Sequence, residues 1–180
     1  MENNTLKQEL VSWMKSIFFA LIVAFLVRAF IFSPYIVDGA SMEPTLHDKE
    51  KIFVNKFNSI DDFKRGDIVI IKGQEKNYVK RIIGFPGEEI EMISDELYIN
   101  GKIVKETYLS ENLKYATKNG SRLTGDFGPL TVPDGHLFVM GDNRLYSMDS
   151  RNGLGYIKID KIVGTSEFVY FPFKNFRNIK

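Results

Sequence analysis

A mostly β domain behind one N-terminal membrane helix is the fold class this sequence predicts. Three observations carry the expectation. An apolar stretch, "SIFFALIVAFLVRAFIFS", occupies residues 16–33. Short β-type runs bounded by Gly, Pro, Asn and Asp follow it. No helical period of useful length is expected beyond residue 33.

The first element is read as a membrane anchor. Ile17 to Val27 is apolar without a break, Arg28 interrupts it, and Ala29 to Phe32 resumes it. From Leu10 to Phe32 a helix would span roughly 34 Å at ~1.5 Å per residue, enough for a bilayer core. Lys15 and Arg28 can reach opposite interfaces, with Trp13 near one of them. Pro34 is expected to end the helix. A buried soluble helix fits less well, because the segment is apolar all round rather than along one stripe. A cleaved leader ending near Val27-Arg28-Ala29 fits less well too, because the apolar run continues past that point. Charge leaves the orientation open: Lys7 and Lys15 precede the span, and Arg28, Lys49 and Lys51 follow it.

The strands come next. "DIVIIK" (67–72), "YVKRIIG" (78–84), "HLFVM" (136–140) and "KIVGTSEFVYF" (161–171) are β-type runs. Pro86-Gly87 suits the centre of a type II turn. "ELYINGKIV" (96–104) reads as a hairpin around Asn100-Gly101. Residues 105–128 are polar with weak periodicity and read as a long excursion or small subdomain. The tail "FPFKNFRNIK" reads as a terminal strand with solvated charges.

Composition narrows the function. Hydrophobic residues make up 44% and charged residues 26% of the 180, a globular balance. A net charge of +1 gives no electrostatic reason to expect nucleic acid. The absence of cysteine excludes disulfides, thiol catalysis and Cys-ligated zinc. His47 and His136 are far apart, outside any metal-binding pattern, and read as surface or turn residues. A Ser-His-Asp triad stays formally open, because triads assemble in space.

Three stretches can carry chemistry. "DGASMEPTL" (38–46) sets Ser41 in a small-residue turn, with Gly39 and Ala40 before it and Pro44 after it. A serine hydroxyl needs a base to become a nucleophile, and a serine in a turn is more often a turn former. "YVKRIIG" sets Lys80 and Arg81 on opposite faces of a hydrophobic strand. Taken alone, it fits an edge with both charges solvated slightly better than a buried lysine. A buried lysine must lose its proton or find a partner, and a neutral lysine is a competent base. "GDNRLYSMDSR" (141–151) is a polar loop that starts where the apolar strand "LFVM" ends.

In this order behind one membrane span, "SMEPTL", "YVKRIIGFPGE" and "GDNRLYSMDSR" resemble the bacterial type I signal peptidases, in their Gram-positive form. The resemblance covers the chain from anchor to last strand. It implies a membrane-bound serine endopeptidase with a twisted antiparallel β-sheet catalytic domain. Residues 1–33 would be the cytoplasmic N-terminus and transmembrane anchor, and residues 34–180 the extracytoplasmic catalytic domain. Ser41 would be the nucleophile and Lys80 the general base. Ser147 would hydrogen-bond and orient Lys80. Asp149 would pair with Arg151, and Asp142 with Arg81, while Gly141 and Asn143 would hold the loop's shape. Some members carry a second serine where Gly39 stands here, so backbone N–H groups, that of Ser41 first, would hold the oxyanion. The implied substrates are secretory preproteins with small residues at −3 and −1. Tyr35, Val37, Met42, Tyr78 and Val79 are the pocket-wall candidates. A substrate strand would add beside "YIVDG" and "NYVK". Implied partners are the lipid bilayer and the secretion machinery; no metal or cofactor is implied. A self-cleaving Ser–Lys repressor protease would need a DNA-binding head where the membrane span stands. An inactive peptide-binding homologue fits poorly with both Ser41 and Lys80 present.

Overall fold

A computed structural model describes residues 2–30, 32–56 and 62–179, without the side chains of residues 2–7, 27–30 and 32. The chain opens with helix α1, Glu2–Phe30. Within it, the 19 residues Gln8–Leu26 are long and apolar enough to cross a membrane. Their side chains face outward all round; Trp13, Phe18 and Phe25 are 71%, 67% and 69% exposed. A soluble helix would bury one stripe. The side chains of Lys7 and Arg28 lie outside the described residues. The helix ends at Phe30, four residues before Pro34. Pro34 itself lies in strand β1, Phe32–Ile36, at the rim of a sheet, where its missing N–H costs no ladder bond.

The remaining strands are β2 (Lys51–Asn55), β3 (Ile68–Ile71), β4 (Tyr78–Gly84), β5 (Glu89–Ile93), β6 (Glu96–Ile99) and β7 (Lys102–Val104). After them come helix α2 (Ser110–Lys118) and strands β8 (Phe127–Thr131), β9 (His136–Met140), β10 (Ile157–Lys158), β11 (Ile162–Phe171) and β12 (Arg177–Asn178). They form two antiparallel sheets. The larger runs β1-β2-β11-β3-β4-β9-β10, with β12 on β11, and the smaller runs β7-β6-β5-β8. The mostly β, antiparallel expectation holds.

The expected turns form. The Glu88 N–H donates to Phe85 O across Pro86-Gly87, and Gly87 has φ 78°. Asn100 and Gly101 both have positive φ, the type I′ geometry that joins β6 to β7. The smaller sheet folds over the larger one: Ile83, Phe138 and Met140 pack against Ile90, Met92, Leu97 and Ile99. Gly84 is required at this junction, because a Cβ there would sit 2.1 Å from Ile90 Cδ1. A second core, of Met42, Leu46, Ile52, Val54, Ile68, Ile70 and Val169, anchors the chain on either side of Ser41.

Besides the role of Pro34, which lies in β1 rather than at the helix end, two expectations change. β4 is an interior strand between β3 and β9, not an edge. Both of its charges are buried, Lys80 at 2% and Arg81 at 3% exposure, because chain from elsewhere covers each face. Residues 105–128 also contain a helix, α2, where none was expected. It is short, has no side-chain cap and docks through a small cluster of Leu109, Ala116 and Leu123. Tertiary contact rather than propensity holds such a helix.

Candidate active site

Ser41 sits at the top of a tight turn. The Glu43 N–H donates to Ala40 O at 3.1 Å, and Gly39 takes φ 90°, which a residue with a Cβ adopts only under strain. The Gly39 N–H donates to Asp48 Oδ1 at 2.8 Å. Met42 and Leu46 beyond the turn are fully buried, so Ser41 is held at the edge of the core.

Lys80 comes from the middle of β4, opposite Val69 of β3. Its Nζ lies 2.6 Å from Ser41 Oγ. Burial pulls the Lys80 ammonium down from 10.5 to about 8. Asp149 and Asp142 oppose that fall, and Lys76 and Arg151 assist it. Roughly a tenth of the lysine is then neutral at pH 7, against on the order of one part in 2,500 for a free side chain.

The two carboxylates near Lys80 are engaged elsewhere. Arg81 Nε and Nη2 donate to the two oxygens of Asp142 at 2.9 and 2.5 Å. Thr45 Oγ1 donates to Asp142 Oδ2 at 2.5 Å, and the Arg81 guanidinium lies over the Tyr108 ring. Arg151 Nε and Nη2 grip Asp149 at 2.8 Å each, and the Gly141 N–H donates to Asp149 Oδ2. Burial works against the Asp149 carboxylate, yet the Arg151 bonds and charge hold its pKa below the usual range. Asp149 is therefore a charge neutralised by Arg151 and not a direct ligand of Lys80.

The 141–151 loop grips the nucleophile turn. The Asn143 N–H donates to Ser41 O and its Nδ2 to Ala40 O, at 3.1 and 3.0 Å. Gly141 permits this approach: a Cβ there would lie 2.3 Å from Ser41 O and 2.2 Å from Ser147 Oγ. The Ser147 hydroxyl is buried beside Gly141. It sits by the Asp149 carboxylate and helps to hold that group charged, and among the described residues it makes no hydrogen bond to Lys80.

Ser41 and Lys80 open into a cleft of about 410 Å³, within the range of small-molecule and peptide sites. All five pocket-wall candidates, Tyr35, Val37, Met42, Tyr78 and Val79, line it. Sequence reading missed Tyr146 and Met148, which also line it and are 81% and 45% exposed. Their place in the 141–151 loop, interleaved with polar residues, was the available signal. His47 and His136 lie away from this cleft: His47 faces Glu43, and His136 Nδ1 contacts Asp134 O. No cluster of potential metal ligands occurs among the described residues.

The family profile of signal peptidase, peptidase S26, matches residues 10–171. Signal peptidase I T of Bacillus subtilis is 61% identical over 171 residues, covering 93% of this chain and 89% of that protein. A signal peptidase I of Bacillus licheniformis is 59% identical over 174 residues, covering 95% and 94%. A crystal structure of a signal peptidase I from Enterococcus faecalis superposes with a TM-score of 0.53 at 39% identity, over 59% of this chain and 98% of that one. An antiparallel β-domain behind an apolar helix, in these company of chains, is a peptidase. The chain belongs to the signal peptidase family, peptidase S26, as a bacterial type I enzyme of the Gram-positive kind.

Proposed function

We propose that this chain removes signal peptides from secretory preproteins, with Ser41 as nucleophile and neutral Lys80 as general base. The 2.6 Å contact between Lys80 Nζ and Ser41 Oγ carries the reading. In the charged state the ammonium donates to Ser41. In the neutral state the same contact lets the Ser41 hydroxyl donate to the nitrogen lone pair. Lys80 takes that proton as Ser41 attacks the scissile carbonyl, then gives it to the leaving amine. A water activated by Lys80 releases the acyl-enzyme. The Ser41 backbone N–H is the oxyanion donor. Arg81–Asp142 and Arg151–Asp149 brace the site, and each arginine offsets a carboxylate that would otherwise favour the charged form of Lys80.

The cleft supports an extended substrate. β4 pairs with β9 only from Arg81 onward, so its outer edge at Tyr78–Lys80 can take a substrate strand. The end of β1, Tyr35 and Ile36, also lines the cleft. Val37 and Met42, 2% and 1% exposed, line the cleft, and in this reading they form the wall that selects small side chains at −1 and −3. Through α1 the enzyme is a single-pass membrane protein, with the β-domain on the outer side, where preproteins emerge. The test is cleavage of a preprotein by the full chain in detergent. Ser41→Ala and Lys80→Arg are both expected to abolish it, since Arg stays protonated. Appreciable cleavage by either variant would contradict the assignment.

A further inference from the structure

We propose that Asn112 is a positioning residue for Ser41, its side-chain amide fastening the nucleophile turn to the 141–151 loop. The inference rests on the Ser41–Lys80 reading above and gives the 105–128 excursion a role in the reaction.

Asn112 is the third residue of α2 and half-buried. Its Nδ2 donates to Glu43 O at 3.1 Å and to Asp142 O at 2.9 Å. A primary amide has two N–H donors, one for each carbonyl. The first acceptor lies two residues after Ser41, and the second lies one residue before Asn143. The carbonyls of Ala40, Ser41 and Glu43 all accept bonds from outside the turn. Among the described residues, Asn143 supplies the first two and Asn112 the third. Asn143 therefore holds the entry and apex of the turn, and Asn112 holds its exit.

The helix that carries Asn112 is poor by its own chemistry. It is nine residues long, and asparagine is a weak helix former. Two residues upstream of it are tied to the site. The Tyr108 ring lies 3.9 Å from the Arg81 guanidinium. Glu106 pairs with buried Arg144, whose Nε donates to Gly141 O. Those contacts bring the amide to the seam between the two loops. Reaction needs Ser41 Oγ within reach of the scissile carbon while it stays against Lys80, and a displacement of about 1 Å can cost on the order of a hundredfold in rate.

The experiment measures kcat and KM of the full chain in detergent on a signal-peptide substrate, alongside thermal unfolding. Asn112→Ala removes the amide. Asn112→Asp keeps its size but replaces both donors with an acceptor facing two carbonyls. Exposed Lys114→Ala, on the same helix, is the control. Both Asn112 variants are expected to lose roughly ten- to a hundredfold in kcat, with KM changed less than about twofold and the pH midpoint of activity unmoved. The Asp variant should be impaired at least as much as the Ala variant, and Lys114→Ala should match wild type. A packing role would leave the Asp variant active, and that result would overturn the proposal. So would a loss confined to KM, or unfolding of both variants at the assay temperature. Full activity in Ser41→Ala would overturn the underlying dyad as well, whereas a dead Ser41→Ala beside active Asn112 variants would sink the clamp alone.

Discussion

Replacing Lys80 with methionine should stabilise the β-domain while destroying activity. Lys80 is 2% exposed, and its ammonium pKa falls from 10.5 to about 8 because burial strips its hydration. At ~1.36 kcal/mol per pH unit, folding the charged side chain at pH 7 costs about 3 kcal/mol. Methionine has a similar length and no charge to desolvate, so Lys80→Met should unfold at higher urea concentration by about that free energy. The sign of the pH dependence is fixed. Between about 8 and 10.5 the unfolded chain holds the Lys80 proton and the folded chain does not, so wild-type stability rises with pH across that window. Below pH 8 both states are protonated and the full cost remains. The advantage of the Met variant should therefore be largest at pH 7 and narrow by roughly 2–3 kcal/mol as pH approaches 10.5. Urea unfolding of the full chain in detergent, followed by far-UV circular dichroism, measures both quantities. Other groups titrate in this range, but they are common to both proteins and cancel in the difference. A Met variant less stable than wild type at pH 7, or a gap that does not change with pH, would refute the claim that Lys80 is held against its own solvation.

Gly141→Ala should lower kcat by on the order of ten- to a hundredfold, because its Cβ would press on the Ser41 carbonyl at 2.3 Å and shift the nucleophile turn; wild-type turnover would show that the loop yields freely. Asp142→Ala should destabilise the domain by about 3–5 kcal/mol in the same urea titration, since it leaves Arg81 buried without its carboxylate. Arg81 Nη1 also donates to Gly66 O at 2.6 Å; a loss below about 1 kcal/mol would mean that this bond and the Tyr108 ring suffice for Arg81.

What could be read from the sequence was mostly local. Asn100-Gly101 and Pro86-Gly87 declare their turns because the needed backbone angles are encoded in those residues themselves. The anchor is legible because lipid demands apolar side chains on every face. Its limits are not: the helix begins at Glu2, where the residues are polar. The burial of both Lys80 and Arg81 was illegible, because alternation fixes which face a residue points to and not what covers that face. The cover comes from residues 38–46 and 141–151 and from Tyr108. β2, β5 and β8 escaped notice because Lys51, Glu89, Glu91 and Pro129 interrupt their apolar pattern. Asn112 carried no signal at all, since an asparagine in a polar stretch looks like solvent-facing chain. The Ser41, Lys80 and 141–151 stretches were recognisable through their resemblance to a family, and the structure brings them into one cleft.

The central claim is that a neutral Lys80 takes the Ser41 proton. The pH dependence of kcat/KM for preprotein cleavage tests it most directly, because that quantity reports the ionisation of the free enzyme. The account predicts activity that rises from pH 6 and levels off through an apparent pKa of about 8, the value burial gives Lys80. A profile that climbs without levelling toward 10.5, as an ordinary lysine would give, or one that inflects at about 6.5 as a histidine does, would contradict it.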